Sequence, residues 1–291
     1  MVFYHPEVRD LIRRAVQEDL CLGDPTTDCL IPPEVQGTGI IIAKGVGVLC
    51  GVEVALAVFR EVDPSLRGEV RAWDGERLRP GQRILEVSGS VASLLRAERT
   101  ALNFLQHLSG VATATAHLVE AVRGTKAVIV DTRKTIPGLR ILEKYAVRVG
   151  GGCNHRLALG DGILIKDNHL AALRAQGLSL GDAVRRARRY ARHPLRVEVE
   201  VTTLEEVREA LEAGADIILL DNMSLEEMRQ AVALVGGKAL LEASGGITLE
   251  TVRAVAETGV DLISSGAITH SAKALDISMD LRVAPVRGRV S

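Results

Sequence analysis

The segment DTRKTIPGLR, residues 131–140, places two cationic side chains next to each other directly after the apolar run AVIV. Arg133 and Lys134 are flanked by the hydroxyl groups of Thr132 and Thr135. Guanidinium and ammonium groups donate charge-assisted hydrogen bonds to carboxylates and phosphates. The segment therefore predicts an anion-binding site at the end of a strand.

Polar residues follow further apolar runs in the same way. They are Lys166, Glu200, Asp221, Glu242 with Ser244, and Ser264 with Ser265. Because helical patterns separate the later runs, the runs are predicted to be parallel strands whose carboxyl ends meet at one rim. One charged strand end is usually a solvated boundary, but six at one rim indicate a binding site. Cations follow the first two strands, carboxylates the next two, and hydroxyl groups and glycines the last two.

The strand VEVEV, residues 197–201, alternates valine with glutamate, so Glu198 and Glu200 share one face. If the valines pack outward on helices, both carboxylates point into the sheet interior, where they need a cation. The alternative is an exposed edge strand with solvated glutamates. Asp221 ends the next strand, so Glu200 and Asp221 are predicted to be neighbours that hold a water-rich Mg²⁺ against a phosphate.

Two loops, ASGGIT and SSGAIT, end the last two strands with serine and glycine. Such loops allow a phosphate to approach backbone N–H groups, which predicts a phosphate site at two segments: Ser244, Gly245 and Gly246, and Ser265 and Gly266. Between the first two strands, GGGCNHR carries His155 and Arg156. His155 and His169 could be metal ligands, but without a third ligand at suitable spacing a hydrogen-bonding role for His155 is favoured.

The strand and helix patterns predict two domains. Residues 109–274 predict an α/β fold with six strands, and six is too few for a regular eight-fold barrel, so an irregular (incomplete) α/β barrel is expected. No GxGxxG follows an early strand, which argues against a dinucleotide fold. Residues 1–108 predict an N-terminal α/β sandwich domain, with a helix over 6–20, turns at WDGE and RPGQ, and a long helical run from Val91. The tail, residues 275–291, is expected to return to this domain.

Composition limits the function classes. The chain has 291 residues and a formal net charge of −1, which argues against a general nucleic-acid or membrane-surface binder. No apolar run reaches the ~18 residues of a spanning helix, and the start lacks a signal-peptide core, so a cytoplasmic protein is expected. Cys21, Cys29, Cys50 and Cys153 are scattered, which favours reduced thiols over disulfides or a zinc site.

The segment DTRKTIPGLRILEKYAVRVGGGCNHRLALGDGILIKDNH closely resembles the signature of the quinolinate phosphoribosyltransferases. GDPTT, RAERTALNFLQHLSGVAT, EVEV, LLDN, EASGGI and SSGAITHS resemble the same family in the same order. The resemblance implies an N-terminal α/β domain, an irregular barrel and a homodimer with shared sites. It implies that quinolinate and 5-phosphoribosyl 1-pyrophosphate (PRPP) react with Mg²⁺ to give nicotinate mononucleotide, CO₂ and pyrophosphate in NAD synthesis.

The resemblance also implies roles for individual residues. The residues implied in catalysis are Lys134, Lys166, Glu200 and Asp221. Those implied around quinolinate are Arg133, His155, Arg156 and Lys166, joined by Arg99 from the partner subunit. Lys134 and Lys166 would contact PRPP, Glu200 and Asp221 would face the ribose and the metal, and the two serine–glycine loops would take the 5-phosphate.

Three alternatives remain at this point. A related protein that accompanies molybdate transporters resembles this fold, but it is expected to deviate in TRKT or NHR, and this chain does not. Nicotinate phosphoribosyltransferase acts on a monoacid, so a substrate comparison separates it. A non-enzymatic binding module would release no pyrophosphate.

Overall fold

The computed structural model describes residues 5–191 and 195–284. Its helices are α1 (Pro6–Leu20), α2 (Pro25–Leu30), α3 (Val52–Val62), α4 (Val91–Ala121), α5 (Arg140–Val149), α6 (Asp167–Arg174), α7 (Leu180–Tyr190), α8 (Leu204–Glu212), α9 (Leu225–Val235), α10 (Val252–Ala256) and α11 (Ala267–His270). Its strands are β1 (Gln36–Ala43), β2 (Gly47–Val48), β3 (Arg67–Val70), β4 (Arg77–Leu78), β5 (Arg83–Ser90), β6 (Val128–Val130), β7 (Ile163–Ile165), β8 (Val197–Val201), β9 (Ile217–Asp221), β10 (Leu240–Ser244), β11 (Leu262–Ser264) and β12 (Ile277–Val283).

The chain forms two compact units. The first unit takes the described residues up to Ala114, residues 136–150, and the described residues from Ser271 onward. The second unit takes residues 115–135 and 151–270. The domain boundary predicted after residue 108 lies inside α4, which continues without a break, and α5 belongs to the first unit although the sequence grouped it with the barrel.

The first unit is built on an antiparallel sheet with the strand order β12-β1-β5-β3. Helices α1 and α3 pack together, and the buried side chains include Phe59, Ile41 and Leu85. The turns predicted at WDGE and RPGQ are present, since the N–H of Glu76 donates to Trp73 and that of Gln82 to Arg79. β12 lies in the tail and pairs with β1 along its length, while residues 285–291 of the tail are outside the described residues.

The second unit contains a six-stranded parallel sheet with the order β6-β11-β10-β9-β8-β7. The six predicted strands are confirmed. Helices α8 and α9 begin as expected, with the hydroxyls of Thr203 and Ser224 accepting from backbone N–H groups three residues later. The helix predicted to begin at Thr248 begins at Val252, after a turn in which the N–H of Thr248 donates to the Thr251 hydroxyl and the N–H of Val252 donates to the Thr248 carbonyl.

The His155 ring lies against the face of the parallel sheet that carries the glutamates. Glu198 on β8 and Glu242 on β10 both approach this ring, although β9 lies between their strands. The outer edge of β6 is covered by Cys153, which exchanges backbone hydrogen bonds with Ile129 and Asp131. The predicted irregular barrel is confirmed.

The structure also bears on the predictions for the strand VEVEV, for the cysteines and for membrane-spanning helices. β8 lies between β7 and β9, its valines are buried, and Glu198 is only 4% exposed, so the exposed-edge alternative is wrong. All four cysteines are free thiols. Among the described residues, no helix is both long and apolar enough to cross a bilayer.

Candidate active site

A cavity of about 500 Å³ opens at the carboxyl ends of the parallel strands. Its lining is mostly polar and charged, with residues from every strand of the sheet or from the loops that follow them. The lining residues are Thr132, Arg133, Lys134, His155, Arg156, Leu164, Lys166, Glu200, Leu219, Asp221, Asn222, Glu242, Ser244 and Ser264. This is the rim where parallel barrels carry their active sites.

One wall of the cavity is cationic. Arg133, Arg156 and Lys166 line it together, and burial lowers the pKa of Arg156, with the nearby charge of Arg133 lowering it further. The Nε atom of Arg133 is buried and has no hydrogen-bond partner among the described residues. Two crowded guanidinium groups, one with an unpaired donor, favour an anionic ligand between them.

A fully buried carboxylate holds this wall in place. Asp131 accepts from the backbone N–H of His155 at 2.8 Å and from the side-chain amide of Asn154 at 2.6 Å. The Thr132 hydroxyl accepts from the N–H of Lys134 at 2.9 Å. The end of β6 is thereby tied to the loop that carries His155, so the two cationic segments meet although they are distant in sequence.

An acidic wall adjoins the cationic one at Lys166. Glu200 and Asp221 end the neighbouring strands β8 and β9, as predicted. Burial raises the pKa of Glu200; the Lys166 ammonium, 3.6 Å away, opposes this shift, and the charge of Asp221 adds to it. Carboxylate oxygens are the atom type that hard divalent ions such as Mg²⁺ prefer, so Glu200 and Asp221 are chemically compatible with this ion.

Below this wall lies a buried layer that we call the His155 cluster, formed by His155, Glu198 and Glu242. The His155 Nε2 atom lies 3.0 Å from Glu198 and 3.6 Å from Glu242. Burial, together with the charge of Glu198, raises the pKa of Glu242 to about 7. One oxygen of each glutamate, Glu198 Oε1 and Glu242 Oε2, has no hydrogen-bond partner within the described chain.

The three side chains of this cluster are close enough to hold a metal ion. However, the backbone N–H of Arg156 donates to His155 Nδ1 at 2.8 Å. This contact favours a ring proton on Nε2, the nitrogen whose lone pair a metal ion held with the two glutamates would need. His169, the other histidine considered as a ligand, accepts from the N–H of Lys166 at 2.9 Å and is not in the cluster.

The serine–glycine loops occupy the remaining side. Gly245 has a φ of +95°, and a Cβ there would lie 2.1 Å from the side chain of Asn222, so only glycine fits. Gly266 lies under the Lys134 side chain, and the Thr269 hydroxyl donates to the Lys134 carbonyl at 2.7 Å. These contacts place Lys134 against the second loop.

The predicted residues are not all in this cavity. Ser265 is buried, and its N–H donates to Val130 at 3.1 Å, so that group is already used. The cavity lining includes Ser244 but does not include Gly245, Gly246, Ser265 or Gly266. Arg99 lies on α4 and lines a different cavity of about 430 Å³ in the first unit.

Five lining residues were not predicted as site residues: Leu164, Leu219, Asn222, Glu242 and Ser264. Glu242 and Ser264 had been recognised as polar strand ends, and the presence of a carboxylate in an otherwise apolar strand was the available signal. The leucines carry no such signal, because a leucine in a strand is normally predicted to be part of the hydrophobic core. Asn222 is unusual in its backbone, with a φ of +53°, which the sequence does not reveal.

These features define a class of protein: an irregular α/β barrel whose rim carries adjoining cationic and acidic walls. Two family models match the chain, the quinolinate phosphoribosyl transferase N-terminal domain over residues 24–109 and the C-terminal domain over residues 111–280. The chain belongs to the quinolinate phosphoribosyl transferase family.

Similar proteins agree with this assignment. The chain is 50% identical to a nicotinate-nucleotide pyrophosphorylase [carboxylating] of Mycobacterium leprae, over 94% of this chain and 96% of that protein. It is 43% identical to a probable nicotinate-nucleotide pyrophosphorylase [carboxylating] of Bacillus subtilis, over 95% and 94%. The crystal structure of NadC from Streptococcus pyogenes superposes with a TM-score of 0.90 at 46% identity, over 94% of this chain and 96% of that one.

Proposed function

We propose that this protein transfers the phosphoribosyl group of PRPP to quinolinate with loss of CO₂, giving nicotinate mononucleotide and pyrophosphate in de novo NAD biosynthesis. The observation that carries the proposal is one cavity in which Arg133, Arg156 and Lys166 face the carboxylates Glu200 and Asp221. Membership of the family and the names of the relatives support the same reaction.

The cationic wall suits quinolinate. This substrate is a dianion with two adjacent carboxylates, and guanidinium groups bind carboxylates through paired hydrogen bonds. The unpaired Nε of Arg133 would donate to one of them. Lys134 and Lys166 would contact PRPP, and the Ser244–Gly246 and Ser265–Gly266 loops would take its 5-phosphate.

The acidic wall suits the transfer step. The bond between the ribose C1 and the pyrophosphate oxygen breaks, and the lone pair of the pyridine nitrogen forms the new bond to C1. Positive charge develops on the ribose meanwhile, and Glu200 and Asp221 stabilise it electrostatically. The pyridinium product then accepts the electron pair released when the adjacent carboxylate leaves as CO₂, and the ring carbon takes up a proton.

We also propose Mg²⁺ as the cofactor, held by Glu200 and Asp221, in part through water. When bound, the ion neutralises charge on the departing pyrophosphate. Lys166 lies 3.6 Å from Glu200 and would keep this carboxylate oriented. The Glu200 side chain would in turn orient Lys166 toward the substrates.

A product assay tests the reaction. Purified protein is mixed with quinolinate, PRPP and Mg²⁺, and CO₂, pyrophosphate and nicotinate mononucleotide are measured together. All three should appear in equal amounts, and nicotinate should be a poor substitute because it lacks one carboxylate. Equal turnover of nicotinate would contradict the proposal, and pyrophosphate release without CO₂ would restrict it to simple transfer.

The working assembly is proposed to be a homodimer in which Arg99 completes the quinolinate site of the partner subunit. Arg99 is exposed on α4 and belongs to the first unit, whereas Lys166 belongs to the second. Chains carrying Arg99→Ala and chains carrying Lys166→Ala should each be inactive, and mixing them should restore up to about half of native activity per heterodimer, because one of its two sites is intact. If mass spectrometry shows exchange and activity stays low, Arg99 does not act in this way.

Cytoplasmic location is part of the same proposal. The four cysteines are free, which suits a reducing compartment. Fractionation of cells that produce the tagged protein, with a cytoplasmic marker enzyme as reference, tests the location.

A further inference from the structure

The His155 cluster contains two buried carboxylates that the proposed reaction does not use. Glu242 is 1% exposed and Glu198 is 4% exposed, so both are removed from solvent. Residues two apart on a strand share a face, so Glu198 lies one step below Glu200 on the cavity side of β8. Burying two carboxylates is costly, and the His155 side chain approaches both.

We propose that Glu198 and Glu242 are positioning residues: they hold the His155 ring in the Nε2–H form, and His155 in turn fixes the backbone of Arg156. The inference rests on the proposed function for its kinetic consequence. Its structural content, the form of the imidazole ring, can be measured independently.

The hydrogen bonds around the ring carry this proposal. Nε2 lies 3.0 Å from the Glu198 carboxylate, which accepts, whereas Glu242 at 3.6 Å is too far for a hydrogen bond and acts on the ring through its charge. Nδ1 faces the N–H of Arg156 at 2.8 Å, and an N–H only donates. Only the neutral ring with its proton on Nε2 satisfies both sides.

His155 fixes the position of Arg156 through a hydrogen bond to its backbone. The backbone of His155 is itself fixed, because its N–H donates to Asp131 at 2.8 Å. The Arg156 N–H is then fixed by the ring, and its guanidinium donates to the Gly162 carbonyl at 3.1 Å. Arg156 is thus held at both ends while it faces Arg133, whose charge lowers the pKa of Arg156. Without the ring as acceptor, two crowded cations would be free to move apart.

The other function open to this cluster is metal binding. It would require a lone pair on Nε2, and therefore a proton on Nδ1, which would place two donors against each other at the 2.8 Å contact with Arg156. The hydrogen-bond pattern thus favours the positioning role, and the metal becomes an outcome of the test.

Nitrogen-15 NMR of the ring nitrogens tests the proposal directly. The chain has seven histidines, few enough for His155 to be assigned by the signals lost in His155→Asn. At neutral pH the native protein should show His155 protonated on Nε2 and not on Nδ1, with no change when Zn²⁺ or Mn²⁺ is added. A proton on Nδ1, on both nitrogens, or a metal-induced shift of Nε2 would overturn the proposal.

Kinetics test the consequence. In the double variant Glu198→Gln/Glu242→Gln, the His155 ring should no longer be protonated on Nε2 alone. The KM for quinolinate should rise about tenfold, the scale of one lost hydrogen bond. The kcat and the KM for PRPP should change by less than about threefold, about 0.65 kcal/mol. The matched control is Glu206→Gln, which neutralises a half-buried carboxylate paired with Arg174 in the same unit, outside the cavity, and should change none of these.

The outcomes are separable. An unchanged quinolinate KM in the folded double variant would overturn the positioning role. If the double variant fails to fold, the NMR measurement of the His155 ring in the native protein still tests the proposal. If the native protein does not turn over quinolinate, the proposed function fails while the NMR result stands on its own.

Discussion

Each unit of this protein places a histidine ring against buried glutamate, and the two contacts differ in how completely the glutamate oxygens are paired. In the first unit, Glu143 is fully buried, one oxygen lies 2.8 Å from His107 Nε2, and the other accepts from the N–H of Ile136 at 3.1 Å. In the second unit, two carboxylates share one ring, and one oxygen of each has no partner among the described residues.

The difference separates structural burial from functional burial. A buried polar atom without a partner costs about 1–3 kcal/mol, and such costs are retained chiefly where a ligand or a reaction needs them. The paired contact of Glu143 needs nothing further. His155 and Glu242 line the cavity that Arg133, with its unpaired Nε, also lines. Substitution of Glu143 should therefore affect folding, whereas substitutions at the cavity of the second unit should affect the reaction.

The largest expected effect is on the acidic wall. Glu200→Gln and Asp221→Asn should each lower kcat by about 10²–10³, the scale for removing an electrostatic stabiliser of a transition state. The KM for quinolinate and the free energy of unfolding should change little, because the charge matters most once pyrophosphate leaves. Steady-state kinetics at saturating Mg²⁺ measure this. Near-native kcat in both variants would remove the proposed roles, and Glu226→Gln on the exposed surface is the control.

Substitution of Glu143 in the first unit should lower stability and leave activity unchanged, the opposite of the acidic-wall variants. Glu143→Ala leaves the Ile136 N–H unpaired and opens a cavity, so the free energy of unfolding should fall by about 3 kcal/mol. Activity per folded molecule should stay close to native. Urea unfolding followed by circular dichroism measures the loss.

The matched control is Glu69→Ala, which removes an exposed pairing with Arg71 in the same unit and should cost less than about 0.5 kcal/mol. If Glu143→Ala instead lost kcat while keeping its stability, the division between structural and functional burial would be wrong.

A binding measurement sharpens the comparison within the second unit. Arg156→Ala should weaken quinolinate binding by about 1.5–3 kcal/mol, the range for a hydrogen bond to a charged group. PRPP binding should be nearly unchanged. Calorimetry with each ligand tests this, with Arg174→Ala, whose partner is Glu206, as the control. Weakened PRPP binding with intact quinolinate binding would mean that the two half-sites are assigned the wrong way round.

The sequence predicted most of the second unit because its signals are local. Each strand is a short apolar run, and the caps Thr203 and Ser224 precede their helices directly. The polar strand ends followed from the same pattern, and the cavity brings together nine of the predicted residues: Thr132, Arg133, Lys134, His155, Arg156, Lys166, Glu200, Asp221 and Ser244.

The sequence could not predict features that depend on distant packing. The contact of Glu198 and Glu242 with one ring depends on His155, which lies in a loop that precedes both strands in the chain. The inclusion of α5 in the first unit depends on pairs such as His107 with Glu143, which are far apart in the chain.

The smallest expected effect concerns pH. The pKa of Glu242 is raised from its ordinary value of 4.5 to about 7, so between these values the folded protein binds more protons than the unfolded chain. Stability from this group is therefore full below 4.5 and is lost as pH rises toward 7. The slope should be at most about 1.4 kcal/mol per pH unit. Glu242→Gln cannot ionise and should lack this loss, so its stability relative to native should increase with pH across that interval.

Glu206→Gln provides a control of opposite sign. The pKa of Glu206 is lowered, chiefly by hydrogen bonds from Thr202 and by Arg174 acting against burial, so its contribution is present at neutral pH and is lost only in acid. Urea unfolding at a series of pH values measures both variants against the native protein. A Glu242→Gln difference that stayed constant between pH 4.5 and 7 would mean that Glu242 is ionised throughout, with its charge balanced by a group other than those of the His155 cluster.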